Sequence, residues 1–281
     1  MLAEGSIHSA IGEVVLWRCE PSDSSGLAPV LYLHSAGAET GPLISQLLEA
    51  LAEGGRESVA PMMPGFGGSA GIEEIEEIED LVFHLLDLLE LLGLEGARRP
   101  HVVGVSLGGW LGAELACRYP ERVASLTLVN PAGLYLPDAP IAELFGVPLE
   151  ELAGTVFASL DHPVAQMMRT LGEALRSDPA SVPFDALRPF MEAMAATAKI
   201  AWNPYFHNPR LPGRLRRVTT PTLVVAGKQD RLIPPVHAQA YAELIPAARL
   251  ASLDCGHMLM LEKPFELAQL VLEHSAAAES A

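Results

Sequence analysis

Apolar residues recur in this chain in two rhythms. Continuous short runs at residues 29–34 (PVLYLH), 56–61, 102–105, 123–129 and 222–226 (TLVVA) have the length of buried strands, and residues 249–253 read as one more. Elsewhere apolar side chains return every three or four positions. Leu43, Leu47, Leu48 and Leu51 predict a helix over 41–54, and Ile75, Ile78, Val82, Leu85, Leu89 and Leu92 predict one over 73–92. A further helix is expected over 236–244. Alternation across residues 7–19 predicts a β-hairpin turning near Gly12, followed by a loop at 21–28. From residue 133 to 210 the texture changes: short helical pieces are punctuated by Pro137, Pro148, Pro163, Pro179, Pro189 and Pro204, with no convincing buried strand.

The most informative junction is His101 to Trp110, HVVGVSLGGW, where a buried strand runs directly into a helical pattern. A reversal this abrupt holds the residue at its apex in a strained backbone conformation, and it requires very small neighbours. Gly104 and Gly108 flank Ser106 at minus two and plus two. The Ser106 hydroxyl is thereby pushed out at the carboxyl end of a strand, beside a helix N-terminus whose free N–H groups favour developing negative charge.

The GVSLGG run resembles the nucleophile elbow of the α/β-hydrolase superfamily, and the resemblance extends over most of the chain. It implies an α/β fold with a mostly parallel eight-stranded sheet flanked by helices and a helical cap inserted after strand 6. The implied division is a core at 1–132 and 211–281, with the cap at 133–210. By the same match Ser106 is the nucleophile, Asp230 in the turn after TLVVA is the acid, and His257 in CGHMLMLEKP is the base. Asp254, three residues before His257, is a rival acid, and the family's Ser, Asp, His order favours Asp230. The amides of Leu107 and of Ala36, in the SAGA loop at 35–38, are the implied oxyanion-hole donors. Two positions depart from the family pattern: Ser35 stands where Gly is usual, and Met62 where Asp is usual. Ser35, Trp110, Met168, Arg188 and Met258 are the candidate substrate contacts. His34 is expected to order its loop, and Asn130 stands where some relatives keep the acid but cannot carry the charge.

Composition narrows the partners. A formal net charge of −17 over 281 residues repels a phosphate backbone, so nucleic acid is not an expected partner. The longest apolar stretch, residues 81–94, is broken by His84, Asp87 and Glu90 and cannot span a bilayer, so no membrane association is expected. Cys19, Cys117 and Cys255 are too scattered for a disulfide framework or a zinc site, and the N-terminal MLAEGSIHSAIGEVV lacks the pattern of a signal peptide. A cytoplasmic location is therefore expected. The MMPGFGGS loop lacks the Lys and spacing of a P-loop, and the carboxylates from Glu73 to Asp80 read as a solvated helix start without ordered ligand spacing. Neither a metal nor a cofactor is expected, and homodimerisation stays open.

The expected chemistry is acyl transfer to water through an acyl-enzyme, with a carboxylic ester of a small to medium, largely apolar molecule as the first substrate class. Two alternatives stand beside it. One is carbon–carbon bond hydrolysis of vinylogous diketone acids, for which Arg188 would hold the substrate carboxylate, while Met258 departs from the Trp usual after the His. The other is a ligand receptor on the same fold.

Overall fold

The apolar runs become strands in the computed structural model, which describes residues 1–23, 26–37 and 41–280. These are β1 (Leu2–Ser9), β2 (Gly12–Cys19), β3 (Val30–Leu33), β4 (Ser58–Pro61), β5 (His101–Val105), β6 (Ser125–Val129), β7 (Thr222–Gly227) and β8 (Arg249–Leu253). One eight-stranded sheet has the order β1-β2-β4-β3-β5-β6-β7-β8. The β1–β2 hairpin joins β4 in antiparallel fashion, and every pairing from β4 to β8 is parallel. Ser24 and Ser25 of the 21–28 loop, and Ala38 of the 35–38 loop, lie outside the described residues.

Strands β3, β5, β6 and β7 are buried along their whole length, so both of their faces are packed, and even Ser125 and Thr127 of β6 are buried. Their side chains nevertheless divide between two faces with a period of two. Val30, Tyr32, Val103 and Val105 face α1 (Gly41–Glu53) and α10 (Pro264–Glu279). Leu31, Leu33 and Val102 face the opposite way, into a core shared with α2 (Ile78–Leu91), α3 (Leu107–Arg118) and α8 (Val236–Leu244).

The helix expected over 73–92 is shorter than its apolar period. Residues Ile72–Glu74 form a 3-10 turn, the chain is extended at Ile75, and α2 starts at Ile78. The carboxylate of Asp80 explains the break, because it accepts the N–H groups of Glu76 and Glu77, both at 2.9 Å, and caps the helix there. Between β6 and β7 the chain forms α4 (Leu149–Val156), α5 (Pro163–Ser177), α6 (Phe184–Ala201) and α7 (Leu211–Leu215). Its sole strand-like pairing among the described residues is an isolated bridge between Gly133 and His207. A short α9 (Leu259–Glu262) lies between β8 and α10.

At the junction of β5 and α3, Ser106 has φ 54° and ψ −111°, a backbone conformation that side chains rarely adopt. Close approach on both sides maintains it. A Cβ on Gly104 would sit 2.3 Å from the carbonyl oxygen of Gly108, and one on Gly108 would sit 2.2 Å from that of Leu33. Both obstacles are backbone, so no side chain can swing aside.

At the opposite end of the strands, α10 is pinned by Glu279. Its carboxylate pairs with both terminal nitrogens of Arg56, at 2.9 and 2.6 Å, and with Nε2 of His101 at 3.1 Å. Arg56 is 2% exposed, so it depends on this partner. The hydrogen bonds from Arg56 hold the Glu279 carboxyl down at about 2, against the opposing effect of partial burial.

Two outcomes are expected. Gly108→Ala is expected to lower the stability measured by urea unfolding by about 3 kcal/mol through overpacking; Gly154→Ala, where an added Cβ meets nothing within 4 Å, serves as the control with little or no loss. Because the Glu279 pKa is depressed on folding, its contribution is complete above the ordinary carboxylate range and lost as pH falls toward about 2. Glu279→Gln is accordingly expected to be less stable than the native protein at neutral pH, with the gap closing below about pH 4.5.

Candidate functional site

The sheet brings the sequence-predicted residues to one edge. Ser106 follows β5, Asp230 lies in the turn after β7, and His257 lies in the loop between β8 and α9. All three stand beyond the carboxyl ends of parallel strands, where open α/β sheets leave a crevice. Nδ1 of His257 lies 2.7 Å from Oδ2 of Asp230. The second carboxylate oxygen of Asp230 accepts the N–H groups of Leu232 and Ile233, each at 2.9 Å. With the carboxylate fixed as an acceptor, the imidazole proton belongs on Nδ1 and the lone pair on Nε2. Asp230 and His257 are both buried. The rival Asp254 points elsewhere and accepts a bond from Gln229 at 2.7 Å.

The loop that carries His257 is tied to the helical segment between β6 and β7. The carbonyl of Val156, at the end of α4, accepts the N–H groups of both His257 (2.8 Å) and Met258 (3.0 Å). Glu262 spans the same joint: one oxygen accepts the amide of Ala158 at 2.7 Å and the other that of Gly256 at 2.5 Å. Arg231, next to Asp230, reaches the carbonyls of Gly154 and Phe157.

Ser106 and His257 line one cavity of about 300 Å³. Ser35 and Ala36 border it, with Leu149, Leu152 and Val156 of α4, Met167 and Met168 of α5, Phe190 and Met194 of α6, and Leu232, Ile233 and Met258. No Asp, Glu, Lys or Arg is among its described lining residues. Met and aromatic walls with a few polar groups at one end suit an apolar ligand.

Among the expected contacts, Ser35, Met168 and Met258 line the cavity and Trp110 and Arg188 do not. Trp110 is buried on the core side of α3, where its indole N–H donates to Glu114 at 3.2 Å. The helical period turns it away from the opening, toward a carboxylate that also holds Asn208 and Arg118. Arg188 is exposed on α6 and paired with Asp185 three residues earlier. Ala36 borders the cavity, and its carbonyl accepts a bond from the buried Thr197 hydroxyl of α6 at 3.3 Å. Leu107 packs its side chain in the core and offers its backbone amide as the first residue of α3.

Neither departure from the family pattern disturbs the site. Ser35 has no left-handed backbone angle, so glycine is not required there, and its hydroxyl accepts the N–H of Gly37 at 3.1 Å. Met62 is buried with its amide bonded to Val15. His34 orders its loop: Nδ1 donates to the Ser35 carbonyl at 2.7 Å and Nε2 accepts the Met63 amide at 3.0 Å. Burial pushes the thiols of Cys117 and Cys255 up to about 12, which leaves little thiolate for nucleophilic or metal chemistry. Among the described residues no cluster of three His, Cys, Asp or Glu could hold a metal ion, and no helix is long and apolar enough to cross a membrane.

Sequence reasoning passed over Asn130 and Glu262. The residue before a Pro is biased toward extended backbone, so nothing local announces the φ of 42° at Asn130 that turns it across the strand ends. Nothing in the local pattern around Glu262 marks its role, because its partners Gly256 and Ala158 meet only in the fold.

The model of a family described as the α/β hydrolase fold matches residues 28–264. Rhodomycin D methylesterase of Streptomyces sp. (strain C5) is 30% identical over an alignment covering 64% of this chain and 68% of that protein. The 2-hydroxymuconate semialdehyde hydrolase of Pseudomonas putida is 28% identical, with 96% of each chain covered. Among solved structures, the 2-hydroxy-6-oxo-6-phenylhexa-2,4-dienoate hydrolase of Rhodococcus sp. strain RHA1 superposes with a TM-score of 0.77 at 25% identity and 98% coverage of both chains. The sheet order, the strained serine at the β5–α3 junction and the matched family model lead to one conclusion: the chain belongs to the α/β-hydrolase fold family.

Proposed function

We propose that this protein is a serine hydrolase that cleaves a carboxylic ester of an uncharged, largely apolar, small to medium molecule. The observation that carries the reading is the 2.7 Å His257–Asp230 bond beside Ser106, in a cavity whose described lining has no Asp, Glu, Lys or Arg. In this mechanism Nε2 of His257 takes the proton of Ser106 as its oxygen attacks the ester carbonyl. Asp230 keeps the imidazole in the required tautomer and stabilises the cation that forms. The amides of Ala36 and Leu107 receive the negative charge that develops on the carbonyl oxygen, an effect worth about 3 kcal/mol per donor. His257 then protonates the departing alkoxide, and a water molecule, deprotonated by the same nitrogen, releases the acid and restores Ser106. Residues 133–210 act as the cap that roofs this cavity.

Carbon–carbon bond hydrolysis is the second reading, and two of the proteins aligned over nearly their whole length, the Pseudomonas putida and Rhodococcus hydrolases, favour it. Its substrates would bring a carboxylate into a cavity whose described walls offer no Arg or Lys, and Arg188 is already paired with Asp185 outside it. An unpaired buried carboxylate is costly, so the ester reading accounts better for the lining.

Two measurements test the proposal. A fluorophosphonate is expected to label Ser106, and Ser106→Ala is expected to abolish labelling and lower turnover of p-nitrophenyl esters by about a thousandfold or more; intact turnover in that variant removes the nucleophile. Across p-nitrophenyl esters of rising acyl length, kcat/KM is expected to exceed that for the same acyl chain ended by a carboxylate by about tenfold or more. Turnover restricted to a dienoate acid would establish the second reading instead.

A further inference from the structure

We propose that Asn130 is a positioning residue whose side-chain amide holds the Asp230 turn and the His257 loop at a fixed separation. The inference rests on the reading of Ser106, Asp230 and His257 as the reacting groups. Asn130 is the first residue after β6, the strand that lies between the one bearing Ser106 and the one leading to Asp230. Its own amide donates to Val225 of β7 at 3.0 Å, and its φ of 42° turns the side chain across the strand ends.

The side chain is 2% exposed and both of its polar atoms are used. Oδ1 accepts the N–H of Gly227 at 2.7 Å, and Nδ2 donates to the carbonyl of His257 at 3.1 Å, with that of Gly256 at 3.4 Å. Gly227 presents only a donor and the loop carbonyls only acceptors, so the amide has one possible orientation. Gly227 opens the turn whose carbonyl accepts the Asp230 amide at 3.2 Å. One planar group therefore touches the residue that starts the acid's turn and the histidine itself.

An amide does this at any pH, since its donor does not titrate. Alanine removes both bonds. Aspartate has nearly the same shape and keeps an oxygen for Gly227, but it has no N–H for the loop and sets a carboxylate against two carbonyl oxygens. An ionised acid at this position is thus disfavoured beside the present His257 loop, whose ring is bonded to Asp230. This accounts for an amide at a strand end where a carboxylate would otherwise be a second candidate acid.

The test compares the native protein with Asn130→Ala and Asn130→Asp. Folding is followed by circular dichroism and urea unfolding, turnover by p-nitrophenyl butyrate, and the His257–Asp230 bond by the low-field proton resonance of Nδ1–H. Such a proton, buried in a short bond to a carboxylate, exchanges slowly with water. In both folded variants kcat is expected to fall by about tenfold to a hundredfold, the loss that follows a small misplacement of a reacting group, with KM within about twofold. The resonance is expected to broaden or disappear. Folded variants that keep both the resonance and the native kcat per folded molecule, with only the unfolding midpoint lowered, would overturn the proposal, since that is the behaviour of a purely structural residue. If Asn130→Ala does not fold, Asn130→Asp assayed at alkaline pH decides alone, because the ionised carboxylate preserves volume and the Gly227 contact but cannot donate to the loop. Should the native protein show the resonance without ester turnover or labelling, the hydrolase reading fails, and the resonance in the variants still decides the role of Asn130.

Discussion

The architecture depends on one close contact, the approach of β3, β5 and α3 at the residues around Ser106. Holding a serine at φ 54° and ψ −111° costs about 1–3 kcal/mol, and the surrounding packing must supply it. The carbonyls of Gly108 and Leu33 come within 2.2–2.3 Å of where a Cβ at Gly104 or Gly108 would sit, so the strand and helix are as near as backbone allows. The same contact points the α3 N-terminus, with its unpaired amides, at the cavity. The placement of Ser106 on the cavity wall and the electropositive helix end beside it are therefore two consequences of one steric fact.

The helical segment between β6 and β7 is more than a cover. Its α4 supplies the carbonyl that receives the amides of His257 and Met258, and Ala158 just beyond it shares the Glu262 carboxylate with Gly256. A second tie, from Thr197 of α6 to the Ala36 carbonyl, reaches the loop after β3. Residues that shape the cavity thus also set the position of the residues that border it from the sheet side. The α5 and α6 residues Met167 and Phe190 line the cavity without such ties to the sheet edge among the bonds described. Cavity shape and imidazole position are coupled mainly through α4.

Among the described residues, charge lies away from the cavity and is used elsewhere. The fully buried Glu114 on α3 is met by Arg118, Arg214, Asn208 and the Trp110 indole, behind the elbow helix. Breaking one partner of such a cluster leaves an uncompensated buried charge. At the far end of the sheet, Arg56, His101 and Glu279 perform a similar fastening for α10. With these acids and bases satisfied among themselves, the described lining of the cavity is free of Asp, Glu, Lys and Arg in a chain whose net charge is −17.

The sequence by itself determined the strands, because continuous apolar runs such as PVLYLH and TLVVA have no alternative to burial. It also determined the elbow, because only glycine at 104 and 108 permits the turn around Ser106, and the chain order of Asp230 and His257 made their meeting legible. The tertiary structure alone decided which face of a helix reaches the cavity: Met168 lines it, whereas Trp110 turns to Glu114 and Arg188 to Asp185. It likewise decided where α2 begins, through the Asp80 cap, and what Asn130 and Glu262 hold. Local periodicity reports which residues are apolar, but a polar side chain's partner is set by distance in space, and these partners lie far apart along the chain or across a turn that no pattern announces.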